Sequence, residues 1–462
     1  MLGLYRKLLM VVTTLALVFS LYGCANTINE INVQSSIDRD LVIGASAFGY
    51  MGCYCDKGLV YFKDRRMWYL DCSENKPYII CSRANCQHND ENCFAWISYV
   101  NSAYGLALFD ESFYVIKRDD KKNSFDLLQM ELGSGVIRTV STLDIGENKP
   151  GNWTLIGLAG RVYYVGDFAW IEATYQYCEE YHDGHYYPQE DTTVIGINLN
   201  NGEATMLYAL SLDDGLEHSI ELAAKDFLVI KETADKEPLL SEELFYEALE
   251  NGAYSSFSDE QDPWNDPYNN YMMWHMQNKT VLFSYLIYDI KTGNTSVLDS
   301  GELGKYHDAD NNAYWRDSYR FFGVYNERMI YSINEYETAN RMNNWKIYSY
   351  DLESGSNEFI IEVDGGNVYE MMDSGFILKN SEILYCLYTD NKTTVFYSYS
   401  LSTGETIGLF EDDERITFRI HGETKDCFIG SLMKNEDMSI LYILSKNDFY
   451  AGNLGAVIKL KK

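Results

Sequence analysis

The sequence predicts an all-β protein, a β-propeller of six to eight four-stranded blades with seven favoured, and three observations predict it. A turn motif recurs along most of the chain. Strands of alternating apolar and polar residues precede each copy. The 462 residues hold 39 Tyr against 6 Pro, a balance that suits strands joined by hairpins.

The repeat is clearest as Ile287-Tyr-Asp-Ile-Lys-Thr-Gly293, Ile347-Tyr-Ser-Tyr-Asp-Leu-Glu-Ser-Gly355 and Phe396-Tyr-Ser-Tyr-Ser-Leu-Ser-Thr-Gly404. Weaker copies end at Gly135 and Gly202, a first copy runs from Trp68 to Asn75, and a degenerate last copy spans Leu441 to Asn447. A tight hairpin needs a residue with positive φ, which Gly supplies without strain. Asn, at position 75, tolerates that conformation second best. Before these turns stand strands such as Leu59-Val-Tyr-Phe62, Ser112-Phe-Tyr-Val-Ile116, Arg161-Val-Tyr-Tyr164, Arg328-Met-Ile-Tyr331 and Glu382-Ile-Leu-Tyr385. The landmarks lie 43 to 91 residues apart, and a four-stranded blade takes about 40 to 50 residues plus loops. The propeller is expected over 41–462; two stacked β-sandwiches would use the same hairpins differently. The longest interval, between Gly202 and Gly293, predicts an insertion over 233–280. Within it, near 238–278, a small helical element is expected. Pro238 to Glu250 has apolar residues at helical spacing, with Ser241 placed to cap. Ser255 to Asn278 follows, rich in Trp, Tyr and Met.

The N-terminus reads differently. Arg6 and Lys7 precede an apolar run from Leu8 to Leu21, which ends in Leu21-Tyr22-Gly23-Cys24. The pattern resembles the signals of bacterial lipoproteins, with Tyr22 where a small residue is usual. The resemblance implies a signal peptide over 1–23, a lipidated tether over 24–40, and anchorage of an extracytoplasmic protein to the membrane bilayer through acylated Cys24. The repeat itself resembles the Tyr-Asp-x-x-Thr-Gly hairpin of quinoprotein-like and TolB-like propellers.

The formal net charge of −32 disfavours nucleic acid and anionic lipid surfaces as partners. Six of the ten cysteines fall between Cys53 and Cys93. Cys81, Cys86, His88 and Cys93 match a Cys₃His zinc set in ligand type, which with four protein ligands is structural. Export favours disulfides instead, and six cysteines permit 15 pairings. Metal, disulfides and free thiols all stay open here. The Cys-Ser-x₃-Cys-x-His-x₄-Cys stretch after a Tyr-Leu-Asp hairpin also resembles one in propeller lipoproteins of anaerobic Gram-positive bacteria.

No GxSxG, HExxH, Walker or GxGxxG pattern organises a catalytic centre. The functional expectation is a surface-anchored, non-enzymatic module that binds or scaffolds an extracytoplasmic glycan, peptide or envelope protein. Trp264, Tyr268, Tyr271, Trp274, Tyr175 and Tyr177 are the candidate contacts, because aromatic loops suit stacking. The alternative is a glycoside hydrolase or polysaccharide lyase, which requires converging carboxylates, at least one with a raised pKa.

Overall fold

A computed structural model describes residues 41–459 outside short interruptions, the longest being 45–52, 178–188, 255–266 and 433–440. The expected signal peptide and tether, with Cys24, lie outside the described residues. Seven antiparallel sheets follow one another along the chain. Their blades run over 53–79, 103–144, 153–206, 217–303, 318–364, 368–412 and 418–459, each a four-strand meander. The favoured count of seven holds, and the stacked sandwiches are set aside. A two-stranded hairpin over 305–315 stands between blades 4 and 5.

The repeat motif is the turn between the third and fourth strands. In blades 2 to 6 the Gly amide donates to the carbonyl four residues earlier, as in Gly293 N to Asp289 O at 2.9 Å and Gly355 N to Asp351 O at 2.9 Å. Each of these glycines has φ between 66° and 76°. The Asp of the motif gathers the amides of the turn. Asp289 accepts from those of Lys291 and Thr292, and Asp351 from those of Glu353 and Ser354. Those amides hold both carboxyls below the usual carboxylate range. Blade 7 departs from the expected last hairpin. A short helix, Lys446–Tyr450, takes the turn, started by Ser445, whose side chain accepts from the Asp448 amide.

The first strands of blades 1 and 2, of 2 and 3, of 4 and 5, and of 7 and 1 touch, as strands lining the centre of the ring do. Each seam between blades has a buried cluster. Tyrosines explain part of their abundance here: Tyr163 donates to Ile220 O of blade 4 and Tyr164 to Gly105 O of blade 2. At the seam between blades 7 and 1, Leu59 and Leu70 pack against Ile429, Leu441 and Ile443. Among the described residues no strand is exchanged across it.

One feature was not expected. Strand Val42–Gly44 pairs with the inner edge of blade 3, Val42 opposite Tyr164 and Gly44 opposite Val162. The insertion is helical as expected, with two helices, α1 over Glu242–Glu250 and α2 over Pro267–Asn278. Proline at the start of α2 suits a first helical turn, where no amide partner is needed.

An antiparallel meander sorts its connections onto two faces. Turns joining strands one to two and three to four share the hairpin face. Loops joining strands two to three, and the links between blades, share the loop face. The insertion, the cysteine-rich link 80–102 and the 305–315 hairpin all fall on the loop face. Because Val42 lies opposite the end of blade 3's first strand, Leu41 sits at the hairpin face. There it packs into the seams on both sides of blade 4.

Candidate functional site

The link from blade 1 to blade 2 is built on blade 1's own backbone. The Ile80 amide donates to Met67 O, the Met67 amide to Ala95 O, and the Ile97 amide to Arg65 O. Arg66 Nε donates to His88 O at 2.8 Å, which fixes the middle of the loop. Asn85 and His88 take left-handed backbone, φ 58° and 53°, a conformation in which both residue types are enriched. The loop thereby folds back on itself. Cys93, Phe94, Ala95 and Ile97 are buried in the core of blades 1 to 3, and Cys81 and Cys86 pack against its edge.

This folding brings the four predicted ligands together. The sulfurs of Cys81, Cys86 and Cys93 and a ring nitrogen of His88 all lie within 4.8 Å of one another. His88 Nδ1 stands 3.3 Å from Cys93 Sγ. A tetrahedral zinc with Zn–S of about 2.3 Å sets neighbouring sulfurs about 3.8 Å apart, so small shifts would complete the shell. The cluster can hold a metal ion. None of the three thiols is bonded to another. Burial is the main cause that pushes the Cys93 thiol up to about 12, while the His88 amide lowers Cys86. Beneath the loop, Lys117 Nζ donates to Phe94 O and Trp96 O. Burial brings that ammonium down to about 8.

The aromatic candidates separate. Trp264 lies outside the described residues. Tyr268 and Tyr271 are buried against Phe245 in the insertion's own core. The Tyr268 hydroxyl donates to Leu240 O, and the Tyr271 hydroxyl accepts from the Leu240 amide. Their rings hold α1 against α2. Trp274 is 45% exposed, beside exposed Met273 on the same helix, and Leu239 and Leu244 are exposed nearby in sequence. Tyr177 packs on Trp153 at the loop-face end of blade 3, with centroids 5.4 Å apart. Tyr175 is partly buried against the core.

Sequence reasoning missed one acidic pair. Glu172 in blade 3 and Glu221 in blade 4 lie near one another, with Arg161 close to both. Burial raises the Glu172 carboxyl to about 6, and Glu221 adds to the effect. Glu221 is also raised, mainly by burial. A Glu172 oxygen accepts from the Ile220 amide at a bulge in blade 4's first strand. The available signal was a lone acid inside each apolar run, Ala169-Trp-Ile-Glu172-Ala173 and Ile220-Glu-Leu222.

No family model matches the chain, and no curated protein matches it in sequence. Several solved structures resemble it in part. Dipeptidyl peptidase 4 of Porphyromonas gingivalis matches at 9% identity and TM-score 0.43, over 90% of this chain and 54% of that one. The propeller domain of the trilobed protease of Pyrococcus furiosus, described as having an open velcro topology, matches at 12% and 0.35, over 76% and 83%. TolB of Acinetobacter baumannii matches at 8% and 0.26, over 80% and 62%. The chain spans about half the length of the peptidases it matches. It is a seven-bladed β-propeller with TolB-like and propeller-peptidase structural neighbours, and it carries a Cys₃His cluster on its loop face.

Proposed function

We propose that this chain is a lipid-tethered, non-enzymatic propeller that stands outside the cytoplasmic membrane and binds a glycan or peptide on its loop face. The observation that carries the reading is the division of labour between faces. The chain joins the ring at the hairpin face, at Leu41, while the insertion and the Trp153–Tyr177 pair stand on the other. A tether acylated at Cys24 would thus enter the ring at the face opposite the insertion. The net charge of −32 holds the body off anionic headgroups and excludes nucleic acid as a partner. The Cys₃His cluster is assigned one structural zinc, because four protein ligands leave no open position for chemistry.

The test uses cells fed an alkyne fatty acid and the intact chain purified from them. Wild type is expected to take the label and Cys24→Ala to lose it. Purified peptidoglycan and soluble xylan serve as binding probes. Trp274→Ala and Tyr177→Ala are each expected to weaken binding about 10-fold, the loss of one stacking contact of about 1.4 kcal/mol. No label, or variants that bind as wild type does, would refute the corresponding half of the proposal.

The Glu172–Glu221 pair favours a second reading, a glycoside hydrolase. It requires that wild type release reducing ends from a polysaccharide and that Glu172→Gln and Glu221→Gln both abolish release.

A further inference from the structure

We propose that Lys117 is the countercharge of an anionic metal–thiolate centre formed by Cys81, Cys86, His88 and Cys93, and that this segment therefore takes a divalent ion rather than disulfides. The inference rests on the metal reading of the cluster and adds a residue and a charge to it.

Lys117 lies in the second strand of blade 2, Ser112–Asp119. Its ammonium is turned onto the back of the cysteine loop, where it donates to Phe94 O at 2.5 Å and Trp96 O at 2.6 Å. It also stands 5.5 Å from the centroid of the Phe94 ring. Phe94 follows Cys93 directly. Two nearby lysines have carboxylate partners: Lys121 pairs with Glu91, and Lys122 with Asp119 and Asp126. Among the described residues, no carboxylate forms such a pair with Lys117. An inward-turned cation with only neutral acceptors is costly. Such a charge is retained where an anion faces it.

Charge counting identifies that anion. Three thiols that bind a divalent ion release three protons and become three thiolates. With neutral His88 as the fourth ligand, the centre carries +2 − 3 = −1. Lys117 sets a positive charge against it from blade 2, beside that of Arg66, which donates to His88 O from blade 1. A disulfide carries no charge, so a pairing among Cys81, Cys86 and Cys93 would leave Lys117 uncompensated. Lys117 thus separates two readings that the cysteine spacing alone leaves equal. It acts as a positioning residue, with its carbonyl contacts to 94 and 96 holding the loop segment that presents Cys93.

The test loads the reduced full chain with zinc or cobalt(II). Wild type is expected to bind one ion per chain, with cobalt giving the absorption of a tetrahedral thiolate site. Lys117→Met is expected to keep that spectrum and to bind zinc about 10- to 100-fold more weakly against a competing chelator, the range for loss of an outer-shell partner. Lys117→Arg, which keeps the charge, is expected to stay near wild type. Should Lys117→Met not fold, Lys117→Gln retains an amide donor without the charge and carries the same comparison. Equal zinc affinity in the folded neutral variant and wild type would overturn the role of Lys117. So would an equal loss in Lys117→Met and Lys117→Arg, which would trace the effect to packing. Failure of wild type itself to bind either ion would instead defeat the metal reading.

Discussion

Replacing Glu172 by Gln should flatten the pH dependence of stability on the acid side. The Glu172 carboxyl sits at about 6 against an ordinary 4.5, chiefly because it is buried. An acid whose folded pKa is raised binds more protons folded than unfolded between those two values. Its favourable contribution is full below about 4.5 and is lost as pH rises through about 6. At about 1.4 kcal/mol for each tenfold step in acidity, the interval amounts to about 2 kcal/mol. Gln keeps an oxygen for the Ile220 amide and has no charge to bury. The variant should therefore be more stable than wild type by about 1–2 kcal/mol at pH 8, and the gap should close by pH 4.5. Urea unfolding followed by tryptophan fluorescence at pH 8, 6.5 and 4.5 would measure it. Wild type alone would not decide the matter, since self-repulsion of a chain with net charge −32 also relaxes on acidification. The difference between variant and wild type largely cancels that term. A gap that stays constant with pH, or a variant less stable at pH 8, would refute the account of Glu172 as a carboxylate held against its solvation.

Two other perturbations test the ring. Gly202 and Gly293 occupy the same turn position with φ of 76° and 70°, yet a Cβ on Gly202 would meet Val140 O of the neighbouring blade at 2.0 Å, whereas one on Gly293 has only Tyr288 Oη at 3.8 Å. Gly293→Ala should cost about 1 kcal/mol and Gly202→Ala a further ~1–3 kcal/mol for overpacking; equal urea midpoints would show that the turn does not dock there. Leu59→Ala removes a side chain only 1% exposed from the closing seam and should cost about 2–5 kcal/mol. Hydrogen exchange should show faster opening in blades 1 and 7 than in blade 4, and uniform acceleration around the ring would count against a localised closure.

The blades were legible because each needs the same local chemistry. Asp289 and Asp351 must gather turn amides, and the glycines that follow must take positive φ, so the letters recur. Blade 7 escaped because Ser445 and Asp448 cap a helix where the others turn. Strand Val42–Gly44 escaped because three residues carry no alternation. The aromatic richness of α2 was visible, but composition could not say that Tyr268 and Tyr271 face Phe245 while Trp274 faces outward. The four Cys₃His residues were legible as a group because all lie within one short loop. Lys117 was not, since it reaches that loop from another strand and a lysine in sequence reads as surface.

The position of the cysteine link follows from how the ring closes. Blades 7 and 1 are each complete in their own segment of chain; among the described residues their seam has no shared strand, and its cluster holds five buried apolar residues. Blade 1 is thus held weakly on one side. On its other side the link 80–97 runs back over blade 1, taking hydrogen bonds from Arg66 and Met67, and is gripped from blade 2 by Lys117. Strand Val42–Gly44 adds a third hold, since the chain pairs with blade 3 before blade 1 begins. An ion at Cys81, Cys86, His88 and Cys93 would tighten one of these holds on blade 1. The four ligands belong to the first inter-blade link, and the later links do not need them, because every later blade has a continuous neighbour on each side until the chain returns to blade 7.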